Sequence, residues 1–135
     1  MRVPPNLPDL ARRGFDALNS GNLEALFALV ADDVVAVVPS PFANAGVYRG
    51  LDGFRLMTDQ WLEAWGEFHA EPLEFIEAGD AVVVPVRQTG TGRGSGVRVA
   101  RELVYLFRAR DGLMVEWRLC EDVPEGLAHA RGERS

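Results

Sequence analysis

Apolar residues recur at helical spacing in three stretches of the first half of the chain, Leu7–Asn19, Leu23–Val30 and Phe54–Trp65. Residues three and four positions apart lie on one face of an α-helix, so this spacing predicts three amphipathic helices. Asn19-Ser20-Gly21 has the composition of a turn and is expected to end the first helix, and Asp52 is expected to cap the third. The apolar faces of these helices must pack against another layer of the fold.

Strand patterns dominate the second half of the chain, where β-branched and aromatic residues are frequent. The segments predicted to be strands are Val34–Val38, Phe68–Ala78, Ala81–Thr91, Val97–Arg108 and Leu113–Asp122. Gly79-Asp80 and Arg110-Asp111-Gly112 have the composition of tight turns, so they predict hairpins between consecutive strands. Residues Pro39–Tyr48 contain two prolines and a glycine and are expected to form a loop.

The order of these elements predicts one domain of the α+β class. A sheet of this size covers its apolar face by curving round the three helices, and the curvature leaves an apolar pocket between the helices and the concave face. We place the core of the domain at about residues 7–122 in a chain of 135 residues. Residues 1–6 and 130–135 are expected to be loosely attached, and a short helix is predicted at Glu125–His129.

The charge and cysteine content of the chain narrow the classes of function. The formal net charge is -6 and the pI is about 4.9, and the sequence lacks the basic stripe that binds nucleic acids or anionic membranes. The single cysteine, Cys120, has no disulfide partner and no metal-ligand spacing. The proline-containing N-terminus does not have the pattern of a signal peptide. We therefore expect a cytoplasmic protein with no cofactor, no metal, and neither nucleic acid nor membrane as a partner.

Several short segments match a known superfamily in their order and spacing. Phe15–Leu26 resembles the junction of the first two helices in the nuclear transport factor 2-like (NTF2-like) superfamily, and Tyr48–Gly53 resembles its "Y-R-G-x-x-G" entry to the third helix. Asp111–Arg118 is similar to its last hairpin, and Gly92–Val97 is similar to a turn of its SnoaL-like subgroup, which includes polyketide cyclase-like and ketosteroid isomerase-like proteins. The resemblance implies a cone-shaped fold, in which three N-terminal-side helices pack in the concave face of a curved mixed, mostly antiparallel sheet.

The resemblance does not carry over the catalytic residues of the ketosteroid isomerases. It places Gly14 where those enzymes have a tyrosine that donates to the oxyanion, and Val38 where they have an aspartate base. Tyr105 falls near their third residue, a protonated aspartate, and its phenol can still donate a hydrogen bond. Ordinary isomerase chemistry is therefore not expected.

Two other enzyme groups of the superfamily leave single candidate residues. Arg87 matches the arginine of the epoxide hydrolases, but Thr89 and Leu119 stand where the resemblance places their carboxylates. SnoaL-like cyclases carry an acid on the last strand, for which Glu121, or else Glu116, is the nearest residue. Glu121, Tyr105 and Arg87 are thus the candidate catalytic residues.

Strand alternation predicts which side chains face the pocket. The face of the last two strands that contains Tyr105, Trp117 and Glu121 is taken as inward because it is the more apolar. The pocket is expected to be lined by Phe15, Val38, Trp61, Trp65, Trp117 and Leu119. The orientation of Arg87 stays open because both faces of its strand are apolar, and the second apolar face favours a homodimer through the outer side of the sheet.

The resemblance and the apolar pocket together imply a SnoaL-like protein that binds a small, apolar, ring-containing ligand. If the protein is an enzyme, proton transfer of the isomerase or cyclase type, on a carbonyl compound of this kind, is expected. Glu121 would then carry the proton, and Tyr105, with or without Arg87, would stabilise the enolate oxygen. A non-catalytic module for ligand binding, dimerisation or interaction is the alternative, with Tyr105 as an ordinary core aromatic and Glu121 solvated at the rim.

Overall fold

The computed structural model describes residues 7–40, 42 and 44–132. Its elements are α1 (Leu7–Asn19), α2 (Leu23–Phe27), β1 (Val30–Val38), β2 (Gly46–Arg49), α3 (Gly50–Glu63), β3 (Trp65–Pro72), β4 (Ile76–Ala78), β5 (Ala81–Gly92), β6 (Arg98–Arg110), β7 (Leu113–Cys120) and α4 (Val123–Ala130). Within these residues, no helix is both long and apolar enough to cross a membrane. The expectations for residues 1–6 and 133–135 lie outside the described residues.

The seven strands form one mixed sheet in the order β2-β1-β7-β6-β5-β3, and β4 pairs with β5. Strands β1 and β7 run parallel, whereas the other described pairs are antiparallel. Irregular registers interrupt the β1–β7, β3–β5 and β6–β7 pairs, and bulges of this kind bend strands and increase their twist. The sheet curves round α1 and α3, which confirms the predicted α+β class and the curved, mostly antiparallel sheet.

Helix α1 packs its apolar face against the concave side of the sheet. Leu10, Phe15 and Ala17 on this face are buried. The end of the helix is tied to β3 by Asn19, whose Nδ2 donates to the carbonyl oxygen of Ala70 (2.8 Å) and whose Oδ1 accepts from the Ala70 N–H (2.8 Å). This pair of hydrogen bonds fixes the position of α1 over the sheet.

The structure corrects several predicted boundaries. Residues 46–48, expected to lie in a loop, belong to the short edge strand β2 (Gly46–Arg49). The mostly exposed side chains of β2 give no apolar pattern that would reveal it. The predicted strand Phe68–Ala78 divides at Pro72 into β3 and β4. Asp52 does not cap α3, because the helix begins at Gly50 and Arg49 occupies the N-cap position.

Helix α4 covers part of the convex face of the sheet. Gly126 lies so close to β5 that a Cβ atom there would be 2.9 Å from Cγ1 of Val83. Ala130, expected to be loosely attached, is the buried last residue of this helix. The chain itself therefore supplies some of the cover for which a second copy was expected, and the homodimer through this face stays a prediction.

Arg108 fastens the end of α4 to the sheet. Its Nη2 donates to the carbonyl oxygens of His129 (3.0 Å) and Ala130 (2.9 Å). Its Nη1 donates to Oε1 of Glu116 at 2.7 Å, and its Nε donates to Oδ1 of Asp80 at 3.0 Å. Partial burial disfavours the charged form of Arg108. The hydrogen bonds and charges of Glu116 and Asp80 outweigh this effect, so the pKa of Arg108 is raised above its usual value.

Candidate functional site

A pocket opens between α1, α3 and the concave face of the sheet. It contains about 710 Å³ of space free of protein atoms, including its open mouth. Five of the six residues predicted to line it do so, namely Phe15, Val38, Trp61, Trp117 and Leu119. Pockets for small molecules are mostly apolar, as this one is. The predicted hollow is therefore present, with predominantly aromatic and aliphatic walls.

Trp65 is the exception among the predicted lining residues. It was assigned to helix α3, but the helix ends at Glu63 and Trp65 begins β3. Its ring packs against Trp61 and Phe68, with centroid distances of 6.3 and 5.5 Å. It also lies on Gly90, where a Cβ atom would come within 2.7 Å of the indole. Trp65 thus supports the Trp61 wall from behind.

Gly14 enlarges the pocket from the middle of α1. Alanine at an interior helical position is about 1 kcal/mol more favourable than glycine. A Cβ atom at Gly14 would meet only Cδ1 of Leu26, at 3.9 Å, so close packing does not require glycine here. Gly14 lines the pocket. Its missing side chain therefore leaves room for a ligand at the expense of helix stability.

Tyr105 and Gln88 are the polar groups of the sheet wall. Both are buried and both line the pocket. Nε2 of Gln88 lies 2.6 Å from the Tyr105 hydroxyl, and Oε1 of Gln88 lies 3.0 Å from Nε of Arg101. A guanidinium can only donate hydrogen bonds, so the carbonyl end of Gln88 must face Arg101.

The orientation of Gln88 sets the direction of the Tyr105 hydroxyl. The amide NH₂ of Gln88 must donate to the tyrosine oxygen, so the hydroxyl hydrogen of Tyr105 points elsewhere. None of the described residues accepts this hydrogen. Desolvation by burial raises the pKa of Tyr105 to about 12, although the hydrogen bond from Gln88 and the charge of Arg101 lower it. At neutral pH the phenol is therefore a hydrogen-bond donor and not a base.

A family model described as a SnoaL-like domain matches residues 11–117. The chain belongs to the SnoaL-like domain family. An uncharacterized protein of Mycobacterium tuberculosis is 31% identical over 99 residues, which cover 73% of this chain and 76% of that protein. An NTF2-like protein of unknown function from Burkholderia pseudomallei has a TM-score of 0.76 at 24% identity, covering 87% of this chain and 92% of its own. TerC, co-crystallised with polyporic acid, has a TM-score of 0.75 at 20% identity, with coverages of 92% and 97%.

The cation beside the pocket of this SnoaL-like domain is Arg101. Its guanidinium lies over the rings of Phe42, Trp61 and Trp65, at 5.8, 5.3 and 6.0 Å from their centroids. No carboxylate among the described residues forms an ion pair with it. Strand alternation places Arg101 on the inward face, but the sequence alone indicates no role for it. Gln88 was not anticipated, although it continues the inward series of Val82, Val84 and Val86 along β5.

Arg87 and Glu121 lie outside the pocket of the SnoaL-like domain. Arg87 is exposed on the convex side, where it pairs in register with Glu102 while its neighbour Gln88 pairs with Arg101. Glu121 is exposed because β7 ends at Cys120 and Asp122 already caps α4. Strand alternation predicts an inward Glu121, but the strand ends one residue before it, so the alternation does not apply to Glu121.

The remaining acid candidate also faces away from the pocket. Glu116 is bound by Arg108 and by Arg118 on the convex side. A bulge between β6 and β7 shifts the alternation of β7, so that Met114 lines the pocket although it is an odd number of residues from Trp117.

The polar side chains in the described part of the pocket lining can bind and orient a ligand, but they include no base. Besides Gln88 and Tyr105, the described lining contains Thr58 and Asn44. The Thr58 hydroxyl donates to its own helix, at the carbonyl oxygen of Phe54 (2.9 Å). The Asn44 side chain has no hydrogen-bond partner among the described residues. No carboxylate or imidazole is among the described lining residues.

Proposed function

We propose that this SnoaL-like domain binds an apolar, ring-containing small molecule whose carbonyl oxygen accepts a hydrogen bond from Tyr105. The observation that carries the proposal is the chain of donors from Arg101 through Gln88 to Tyr105. It leaves the buried hydroxyl hydrogen of Tyr105 directed away from Gln88 and without an acceptor among the residues that the structure describes. Buried polar groups are almost always hydrogen-bonded, and a ligand carbonyl supplies the missing acceptor.

The walls of the pocket support a ring-shaped ligand. Phe15 stacks on Tyr105 at a centroid distance of 5.6 Å, and Trp117 meets the edge of Tyr105 at 5.1 Å. Trp61 forms part of the opposite wall, on α3. Aromatic surfaces favour flat apolar rings through stacked and edge contacts. TerC, which shares this fold, was co-crystallised with polyporic acid.

Binding without proton transfer by the pocket's own residues is the function that this geometry supports. Tyr105 can stabilise developing negative charge on a carbonyl oxygen, but an isomerase or cyclase also needs a base within reach of the acidic C–H. The described lining residues offer none. Deuterium exchange at the carbon next to the carbonyl of 1-tetralone checks this point. The exchange rate with the domain is expected to equal that in buffer, and a faster rate would establish an enzyme.

The hydrogen bond from Tyr105 is tested with two ligands that differ only in the carbonyl, 1-tetralone and tetralin. Binding is followed by tryptophan fluorescence because Trp61 and Trp117 line the pocket. The measured quantity is the ratio of the affinity for 1-tetralone to the affinity for tetralin. This ratio is expected to be about five- to tenfold higher in the wild type than in Tyr105→Phe. Equal ratios in the two proteins would overturn the role of Tyr105.

Thr58→Val provides the matched control. It also removes a pocket hydroxyl, but one whose hydrogen already bonds to the backbone of α3. The ketone-to-hydrocarbon ratio is therefore expected to stay at its wild-type value. If neither ligand changes the fluorescence of the wild type, the proposal that the pocket binds apolar ring compounds is wrong.

A further inference from the structure

Asn44 lies between β1 and β2 and lines the pocket. Both of its side-chain polar atoms, Oδ1 and Nδ2, are hidden from solvent, and neither has a hydrogen-bond partner in the part of the chain that the structure describes. Unsatisfied polar atoms that are hidden from water destabilise a fold, so an unpaired amide needs an explanation. Asn44 is the only residue with such atoms among the described side chains.

The backbone at Asn44 is held in place. Its carbonyl oxygen accepts a hydrogen bond from the Tyr48 hydroxyl at 2.6 Å, and the same hydroxyl lies 3.4 Å from Oε1 of Gln60 on α3. The next residue, Ala45, donates its N–H to the carbonyl oxygen of Phe42, which closes a turn. These contacts attach the turn to both β2 and α3. The unpaired amide therefore belongs to an anchored segment of the pocket wall.

We propose that Asn44 is a second polar anchor of the pocket and recognises a hydroxyl group on the ligand. The proposal rests on the proposed function, and it narrows the ligand to a ring compound that carries a hydroxyl in addition to its carbonyl. The amide has one acceptor, Oδ1, and donors on Nδ2. A hydroxyl can donate to the first while it accepts from the second. A second carbonyl would leave Oδ1 without a donor, and a carboxylate would place negative charge beside Oδ1.

The placement of the two polar anchors, Tyr105 and Asn44, supports a ligand with polar groups at two separate positions. Tyr105 and Gln88 belong to the central strands β6 and β5, whereas Asn44 belongs to the β1–β2 connection at the edge of the sheet. Most of the other lining residues are apolar, among them Val38, Phe107 and Trp117. A flat ring system with oxygen atoms at separate positions fits this distribution of polar groups.

The test compares 1-tetralone with 5-, 6- and 7-hydroxy-1-tetralone, again by tryptophan fluorescence. At least one hydroxylated ketone is expected to bind the wild type about tenfold more tightly than 1-tetralone. The gain should disappear in Asn44→Leu, which has a similar shape and no polar atoms. Asn44→Ala serves the same purpose if leucine does not fit. A gain that persists in both variants, or no gain for any of the three compounds, would overturn the proposal.

A measurement without ligand separates this proposal from the proposed function. Removing a hidden, unpaired amide is expected to leave the free domain at least as stable, so Asn44→Leu should not lower the midpoint of urea unfolding. A clear loss of stability would show that the amide has a structural role and would overturn the proposal. Failure of the proposed hydrogen bond from Tyr105 is detected by the ratio of the affinities for 1-tetralone and tetralin. Neither of these ligands has a hydroxyl group, so this ratio does not test Asn44.

Discussion

Two arginines on strand β6 face opposite sides of the sheet and differ in their partners. Arg108, on the convex side, donates to two carboxylates and to two carbonyl oxygens at the end of α4. Arg101, on the concave side, donates to the uncharged Gln88 and otherwise lies over aromatic rings. The convex cluster thus satisfies its charge within the chain. Among the described residues, the concave side has hydrogen-bonding capacity left over, which supports our proposal that a ligand binds on that side.

The comparison predicts different costs for the same substitution on the two faces. Arg108→Met removes an ion pair with the half-buried Glu116 and the guanidinium donor to the carbonyls of His129 and Ala130. The His129 carbonyl keeps the hydrogen bond from the Gly132 N–H. The free energy of unfolding is expected to fall by about 3 kcal/mol, with 1-tetralone binding unchanged. Arg101→Met is expected to cost about 1 kcal/mol, because only one hydrogen bond and the ring contacts are lost, but to weaken 1-tetralone binding. Urea unfolding measures both, and equal losses would contradict the comparison.

Each face of the sheet also contains one buried, weakly acidic side chain, the phenol of Tyr105 or the thiol of Cys120. Together they predict that the folded state loses stability at alkaline pH. Burial raises the pKa of Tyr105 from 10.0 to about 12, and burial, assisted by the nearby Glu125, raises that of Cys120 from 9.0 to about 12. A group whose pKa is raised by folding stabilises the folded state at pH values below its unfolded pKa. This contribution is lost as the pH rises from the unfolded pKa through the folded pKa. Stability should therefore fall as the pH rises above about 9.

The size of the alkaline loss can be assigned residue by residue. At about pH 11 it is expected to be about 3 kcal/mol from Cys120 and about 1 kcal/mol from Tyr105. The chain contains no lysine, so few other groups titrate in this range. Urea unfolding at about pH 8 and pH 11 should show a smaller loss for Cys120→Ala and for Tyr105→Phe than for the wild type. An unchanged loss in both variants would show that neither group holds its proton in the fold.

The smallest predicted effect compares two helical glycines. Gly14→Ala is expected to raise the free energy of unfolding by about 0.5–1 kcal/mol, because the methyl group meets only Leu26 at 3.9 Å. It should also weaken 1-tetralone binding severalfold by narrowing the pocket. Gly126→Ala is expected to lower stability by about 1 kcal/mol, because its Cβ would press on the stiff side chains of Val83 and Val104. If both substitutions changed the free energy of unfolding in the same direction, the claim that Gly14 lies beside open space would be contradicted.

The sequence predicted the fold better than the site. Helical spacing over residues 7–19 predicted α1, because this helix has one apolar face. The β-rich segments on either side of the Asp111-Gly112 turn predicted β6 and β7. The short strand β2 was missed because its side chains are mostly exposed. Trp65 was assigned to α3 because its spacing from Trp61 is helical, and only the pairing of β3 with β5 shows that the helix has ended.

The errors at the site have specific physical causes. Both faces of β5 are apolar, so its sequence cannot decide between Arg87 and Gln88, and the pairing of Gln88 with Arg101 is what places the amide inward. Glu121 was placed by extending alternation beyond the end of β7. Asn44 lies in an irregular connection, where no periodicity applies. Residues whose role depends on register or on a turn were therefore the ones that sequence reasoning missed.

The central claim is that Tyr105 donates a hydrogen bond to a ligand carbonyl, and the infrared carbonyl band of bound 1-tetralone tests it most directly. A donated hydrogen bond weakens the C=O bond and lowers its stretching frequency. The band is predicted at a lower frequency in the wild type than in Tyr105→Phe, with Arg101→Met between them because the donor chain loses its charged end. The same band position in the wild type and in Tyr105→Phe would contradict the claim.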